Sequence, residues 1–419
     1  MRLVPARCLQ FKEEGCLQLA GQHHRHYHYH PHRHYYHQRP PHEHYLPALR
    51  RRPCYDHHIH SFHQRRSFSS LLDLSSPLLP PIVFLGLGLT LWTYKCLMMI
   101  LFQNKIIYMP NIPPFSRSEK VEDYARRCLP VRWREESVVT GDGVRISLLV
   151  GNIEEGQSGS QSQSAVADLE GDEDHLVVLY FQGNASSLPP RLPYLSDTIK
   201  MVNRASAAGS KTDASPKKTF SFVAVSYRGY WTSSGRASAK GIERDASAAL
   251  GWILQRYANV RHLKIVLWGQ SIGAGVATNA AAGYLESLSA DSSSQRPMID
   301  GMVLETPFTS VRDILLAFYP QKWLPYRYLT PFLRSHWDSE EALRRIAQAA
   351  AGDKPRILIL EAGKDDVVPH GQAERIEQLC KSLGLGDVQR KTISGALHTE
   401  LMAKADGRRE TARFLSEKF

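Results

Sequence analysis

Apolar and polar positions fall into three regimes along the chain. Residues 1–77 keep neither a helical nor a strand period. Ile82 to Phe102 then form a nearly unbroken apolar run, IVFLGLGLTLWTYKCLMMILF, with Lys95 as its one charge. Beyond about residue 130, short apolar runs alternate with stretches of helical period. The runs predict strands at 132–139, 143–150, 176–181, 219–226, 264–268, 299–305, 355–361 and 388–393. Helical period recurs near 191–206, 241–258, 272–288, 340–350, 371–384 and 399–417. The first two strands flank Gly141-Asp142-Gly143 and read as a hairpin. The later alternation of strand with helix predicts an α/β domain, with a mostly parallel eight-stranded sheet covered by helices on both faces. Three polar inserts rich in Ser, Gly and Ala, 154–175, 207–218 and 287–297, read as disordered surface loops.

The apolar run is long enough to cross a bilayer core as a helix. Lys95 sits near its C-terminal end, where the side-chain stem can snorkel to the interface, and Trp92, Tyr94 and Tyr108 suit that zone. A secretory signal would not follow so long a polar stretch. The expected organisation is a disordered His-rich basic tail (1–77), a transmembrane helix (78–102), a juxtamembrane connector (103–130) and a catalytic domain (131–419) with a small cap at 311–340. The bilayer is therefore an expected partner. Arg50, Arg51, Arg52, Arg65 and Arg66 before the run outweigh Lys105, Arg117 and Lys120 after it. That bias favours a cytosolic N-terminus, with the catalytic domain lumenal or external. The endoplasmic reticulum, another endomembrane or the plasma membrane is the expected location. Arg65-Arg66-Ser67-Phe68-Ser69-Ser70 resembles the end of a mitochondrial transit peptide, but five acidic residues within 1–77 weaken that reading.

Composition narrows the chemistry. The formal charge is +11, yet residues 1–77 hold eleven Lys/Arg against five Asp/Glu, and the remainder is near balance at 41 to 36. No basic helix is interleaved with aromatics and no zinc-finger spacing occurs, which argues against nucleic acid as a partner. The six cysteines are scattered without a C-x-x-C pair, so no disulfide framework is implied. Fourteen of nineteen histidines lie in the tail, in runs without the fixed spacing of a metal site. No metal or organic cofactor is expected.

The chemistry concentrates at Gly269-Gln270-Ser271-Ile272-Gly273. This G-x-S-x-G follows the apolar run Ile265-Val266-Leu267-Trp268 and opens a small-residue helix. Strand, sharp turn and helix would push Ser271 out above the sheet as a nucleophile. His398, after the last strand, is the candidate base. The acid is Asp365 or Asp366, with Asp365 preferred: side chains of adjacent residues at a strand end point apart, so only one can reach the imidazole. The order Ser, Asp, His is that of α/β-hydrolases. Backbone N–H groups should stabilise the oxyanion. One is that of Ile272; the other is that of Asn184 or Ala185 in the loop after the third strand. Asn184-Ala185-Ser186 is also a glycosylation sequon, expected unmodified if the loop lines the site. Phe318, Tyr319, Trp323, Tyr326, Tyr328, Phe332 and Trp337 crowd the expected cap, where they could line an acyl pocket, face a membrane or simply pack.

From about Phe102 onward the chain resembles the membrane-anchored eukaryotic α/β-hydrolases of the bud-emergence type, which have depalmitoylase-like and serine-aminopeptidase-like relatives. The residues that carry the resemblance are Phe102-Gln103-Asn104-Lys105-Ile106-Ile107-Tyr108-Met109-Pro110, Tyr227-Arg228-Gly229-Tyr230, Gly235, Gly241 with Asp245-Ala246, and the elbow at Ser271. Glu305-Thr306-Pro307-Phe308-Thr309-Ser310, Trp337-Asp338-Ser339, Asp365 four residues before Pro369, and His398 complete them. The resemblance implies Ser271 as nucleophile, Asp365 as acid and His398 as base. It also implies a serine esterase or thioesterase working through an acyl-serine intermediate on a lipid or acyl-protein substrate. Two positions depart from the family pattern. Gln182-Gly183-Asn184 stands where His-Gly-Asn is usual, and Thr399-Glu400 follows the histidine where Asn or Asp is usual. Gln182 and the long inserts motivate a competing expectation, a membrane-tethered interaction protein without turnover. The distant relatives motivate a third, a peptidase for short peptides.

Overall fold

The structure, a computed structural model, describes residues 79–153, 174–209, 219–290, 297–350 and 354–417. The His-rich tail, the transit-like stretch and most of the three polar inserts lie outside them. Helix α1 (Leu79–Leu101) comes first, followed by the short helices α2 (Gln103–Tyr108) and α3 (Glu122–Cys128). The sheet then runs through β1 (Val131–Val139), β2 (Arg145–Ile153), β3 (Asp174–Phe181), β4 (Thr219–Ser226), β5 (His262–Gln270), β6 (Ile299–Glu305), β7 (Arg356–Ala362) and β8 (Val388–Ile393). Interleaved are α4 (Leu192–Gly209), α5 (Ala239–Arg256), α6 (Ile272–Ala290), α7 (Val311–Phe318), α8 (Ser339–Ala349), α9 (Gln372–Ser382) and α10 (Ala405–Ser416).

The spatial order is β1-β2-β4-β3-β5-β6-β7-β8. Strand β2 is antiparallel to both β1 and β4, and every other neighbouring pair is parallel. This mixed sheet is that of an α/β-hydrolase. The strands read as continuous apolar runs because both faces are covered. Along β3 the alternation divides the run: Val177, Leu179 and Phe181 join the core beneath α5 and α6, while Leu176, Val178 and Tyr180 join the core beneath α4 and α10. A one-residue slip would exchange the two sets, so this pattern holds the register. Each such side chain contributes roughly 1.5–3 kcal/mol on full burial.

The strands lie where the hydrophobic pattern puts them, to within a few residues at each end. Helices α2, α3 and α7 have no counterpart in that pattern, because each is too short to show a period. Helix α7 starts on Ser310, whose hydroxyl accepts the Asp313 N–H at 3.1 Å. A 3₁₀ segment, Pro325–Phe332, follows in the expected cap region. The last helical stretch begins at Ala405 rather than 399, and His398 falls in the turn before it. Gly407 permits this corner, since a Cβ there would sit 2.4 Å from the Leu401 carbonyl oxygen. Helix α1 is long and apolar enough to cross a membrane, and Cys96 is its one buried residue.

Candidate active site

Ser271 occupies the single residue between β5 and α6, with φ of +53°. That left-handed conformation costs a non-glycine residue of order 1–3 kcal/mol and persists only where surroundings enforce it. The Ser271 N–H donates to the Glu305 carbonyl at 2.7 Å, tying the turn to the end of β6. The flanking glycines make the turn possible. A Cβ on Gly269 would lie 2.0 Å from the Gly273 carbonyl oxygen, and one on Gly273 would lie 2.2 Å from the Phe181 carbonyl oxygen. The first turn of α6 therefore presses directly on the end of β3.

His398 and Asp365 meet Ser271 there. The His398 Nε2 lies 2.9 Å from the Ser271 Oγ, and its Nδ1 lies 2.9 and 3.1 Å from the two Asp365 oxygens. Asp365 follows β7 and also accepts the N–H groups of Val367 at 2.9 Å and Val368 at 2.7 Å. Burial pushes its carboxyl up, but the bond to His398 and the two backbone donors outweigh that and hold it below the usual carboxylate range. Asp366 is exposed and touches the His398 backbone instead, its Oδ1 accepting the N–H at 3.3 Å. The structure thus brings Ser271, Asp365 and His398 together and leaves Asp366 off the ring.

The two backbone positions named for the oxyanion behave differently. Ile272 is the first residue of α6, where an N–H has no carbonyl one turn earlier to bond. In the loop after β3, the Asn184 N–H makes no backbone hydrogen bond among the described residues. The Ala185 N–H is spent on the Tyr108 carbonyl at 2.9 Å, and that of Ser186 on the Ile112 carbonyl. Ala185 is therefore withdrawn as a donor, because Tyr108, in the segment after α1, occupies its N–H. Asn184 turns its amide nitrogen to the Ile107 carbonyl at 3.4 Å. Gln182, at the usual histidine position, is buried, and its carbonyl accepts the Tyr227 hydroxyl at 2.9 Å.

Two residues beneath the site have no part in the chemistry expected from the sequence. Glu305 is buried and takes the Trp268 indole N–H and the Gln270 amide, both at 3.1 Å. Burial pushes its carboxyl up to about 7, against the opposing Arg191 charge and these hydrogen bonds. Tyr108 is fully buried. Its hydroxyl donates to Ser335 at 3.0 Å and accepts from the Trp337 indole at 2.9 Å, while its carbonyl receives the Tyr230 hydroxyl as well as Ala185. The signal for Glu305 was its place at a strand end beside the elbow. Tyr108, expected in the interfacial zone, is instead buried within the domain, where its hydroxyl and carbonyl are both hydrogen-bonded.

The strand order, the strained serine turn and the serine–histidine–aspartate contacts define the class as an α/β-hydrolase. No family model matches the chain. Over 213 residues it is 28% identical to protein bem46 of Schizosaccharomyces pombe, covering 51% of this chain and 59% of that protein. It is also 28% identical over 232 residues to the lysophosphatidylserine lipase ABHD12 of Danio rerio, covering 53% of each. Among solved structures, an alpha-beta hydrolase from Vibrio vulnificus aligns with a TM-score of 0.46 at 16% identity, over 76% of this chain and 91% of that one. The chain spans about half the length of the curated relatives it matches. Within the α/β-hydrolases, the chain is similar to proteins of the bem46/ABHD12 type.

Proposed function

We propose that the protein is a membrane-anchored serine hydrolase that cleaves an ester or thioester of a lipid or an acylated protein. The observation that carries this reading is the continuous hydrogen-bonded path from Ser271 Oγ through the His398 ring to Asp365. In the proposed reaction, Ser271 Oγ attacks the acyl carbonyl carbon while His398 Nε2 takes its proton. Asp365 keeps the imidazole in the tautomer that accepts at Nε2 and stabilises the imidazolium. The N–H groups of Ile272 and Asn184 receive the developing oxyanion, each worth about 10²–10³ in rate. Collapse expels the alcohol or thiol, protonated by His398, and leaves acyl-Ser271. Water, deprotonated by His398, attacks the acyl carbonyl and releases the acid with the serine restored.

A lipid ester is the substrate class we favour over an acylated protein. The Danio rerio relative is by name a lipase. Helix α1 presents an apolar surface that water would not tolerate, with Phe84, Leu85 and Leu87 each more than 60% exposed. Two measurements on the full chain test the reading. A fluorophosphonate probe should label the protein in membranes and fail on Ser271→Ala, and the protein should resist alkaline extraction from those membranes. Equal labelling of both proteins would sink the nucleophile assignment and favour a fold without turnover. Release by alkali would sink the anchor.

A further inference from the structure

Resting on that anchoring reading, we propose that the 311–334 segment is itself a bilayer-contacting surface. It seats beside α1 where headgroups give way to the outer acyl chains, so that the site at Ser271 draws an amphiphilic substrate directly from the lipid leaflet.

The first support is where the segment is tied. The Gln103 amide donates to the Phe332 carbonyl at 3.0 Å, and the Arg334 N–H donates back to the Gln103 Oε1 at 2.7 Å. The Arg334 guanidinium donates to the Ile100 and Leu101 carbonyls at 2.7 and 3.3 Å, satisfying the C-terminal end of α1. Further back on the same helix, the Lys95 ammonium lies 4.7 Å from the Tyr326 ring centroid. Lys95 precedes Leu101 by six residues, about 9 Å along the helix axis. Tyr326 thus stands alongside the helix rather than beyond its end. A helix of 23 residues is about 35 Å long, against a hydrocarbon core of about 30 Å. Even with the whole excess of about 5 Å at this end, a ring some 9 Å back from it sits about 4 Å below the headgroups, among the outer acyl-chain segments.

The second support is what the segment displays. Trp323 is 79% exposed, Tyr328 59%, Phe332 55% and Phe318 43%. These rings are held out by local bonds: the Tyr328 hydroxyl donates to the Lys322 carbonyl at 2.6 Å, and Arg327 donates to the Pro320 carbonyl at 2.7 Å. Large aromatics with one wet end suit a membrane interface, whereas in water they would be costly. Charge agrees. From Ile314 to Trp337 there is no acidic residue, while Lys322, Arg327 and Arg334 are present.

The third support is where the segment is rooted. The Val311 N–H donates to the His336 carbonyl at 2.9 Å, closing the base of the cap. Next to it, the buried Trp337 packs on α6 at Gly275, where a Cβ would meet the Trp337 Cβ at 3.1 Å. Gly275 lies four residues after Ser271. The exposed rings, the helix end and the serine turn are therefore joined through one short base.

Tryptophan quenching in vesicles separates this inference from the anchor and from the activity. The full chain is reconstituted into phosphatidylcholine–phosphatidylserine vesicles whose acyl chains are brominated both near the headgroup and deeper along the chain. Trp92, within α1, serves as the internal reference. Trp323→Phe should remove a share of the bromide-quenched emission comparable to that removed by Trp92→Phe, while fluorophosphonate labelling stays at the wild-type level. If Trp92→Phe lowers the quenched share and Trp323→Phe does not, the segment lies in water and the inference fails with the anchor intact. If neither lowers it, both fail. The triple variant Trp323→Gln, Tyr328→Gln, Phe332→Gln supplies a second readout. It should lose at least about tenfold in kcat/KM on a long-chain lysophospholipid held in vesicles, but not on a water-soluble short-chain ester. Equal loss on both substrates, or loss on neither, also overturns the inference.

Discussion

The Trp337 indole N–H donates to the Tyr108 hydroxyl at 2.9 Å, across 229 residues of chain. Through this contact one buried tyrosine links the connector after α1, the base of the cap and, by its carbonyl, the loop that bears Asn184. Tyr108→Phe keeps the ring but leaves the Trp337 donor and Ser335 without that hydroxyl. The expected cost is about 1–3 kcal/mol, read as a lower melting temperature of the detergent-solubilised full chain. Tyr108→Ala should cost more, about 3–5 kcal/mol, because it also leaves a cavity. A Tyr108→Phe protein as stable as wild type would show that the contact contributes nothing.

The acid can be separated from its neighbour by paired substitutions. Asp365→Asn should lower kcat/KM on a p-nitrophenyl ester by about 10⁴, the usual result of fixing the wrong histidine tautomer. Asp366→Asn should cost less than about tenfold, since that carboxylate is exposed and only holds the His398 backbone N–H at 3.3 Å. His398→Ala should match Ser271→Ala in severity, because the three groups act as a unit. Similar losses in the two aspartate variants would contradict the proposed division of roles.

Glu305 and Asp365 act on stability in opposite pH windows. The Glu305 carboxyl is raised by burial from 4.5 to about 7. A raised carboxyl pKa means that its contribution is fully present below pH 4.5 and is lost as pH rises through about 7. The Asp365 carboxyl is depressed from 3.8, so its contribution is present above 3.8 and lost as pH falls below it. Glu305→Gln should therefore flatten the fall in stability between pH 4.5 and 7 seen for the wild type. Chemical denaturation of both proteins at a series of pH values measures it; parallel curves would rule out Glu305 as the source.

Much of this architecture was legible in the sequence, for physical reasons. Strands such as Leu176–Phe181 are buried on both faces, so their apolar runs are continuous and their limits follow from the polar flanks. Ser271 was legible because its turn demands glycine on both sides at fixed spacing. Asp365 is preferred over Asp366 from the sequence and is the acid that the resemblance implies; the fold adds the direction of each side chain, with the Asp365 carboxylate 2.9 Å from His398 Nδ1. Ala185 was misread because its N–H is taken by the carbonyl of Tyr108, a contact no local pattern announces. The 3₁₀ segment Pro325–Phe332 was also beyond reach, as it is too short to show a helical period and contains Pro331.

Helix α6 allows the demands of the serine turn to be weighed against ordinary helix propensity within one element. Gly273 stands two residues after Ser271, where an added Cβ would meet the Phe181 and Gln182 carbonyl oxygens at 2.2 and 2.6 Å. Both atoms belong to the strand and loop that lead to Asn184, one of the two proposed oxyanion donors, so neither can retreat without moving it. Gly283 lies in the same helix with nothing within 4 Å of an added Cβ. There, alanine removes the entropic penalty of glycine, a gain of up to about 1 kcal/mol. Gly273→Ala should thus lower fluorophosphonate labelling by at least about 10², whereas Gly283→Ala should label like wild type and melt at the same or a higher temperature. The comparison is internally controlled, because both substitutions add one methyl group to the same helix. Normal labelling of Gly273→Ala would mean that the β3 loop and the first turn of α6 are not the two walls of the site.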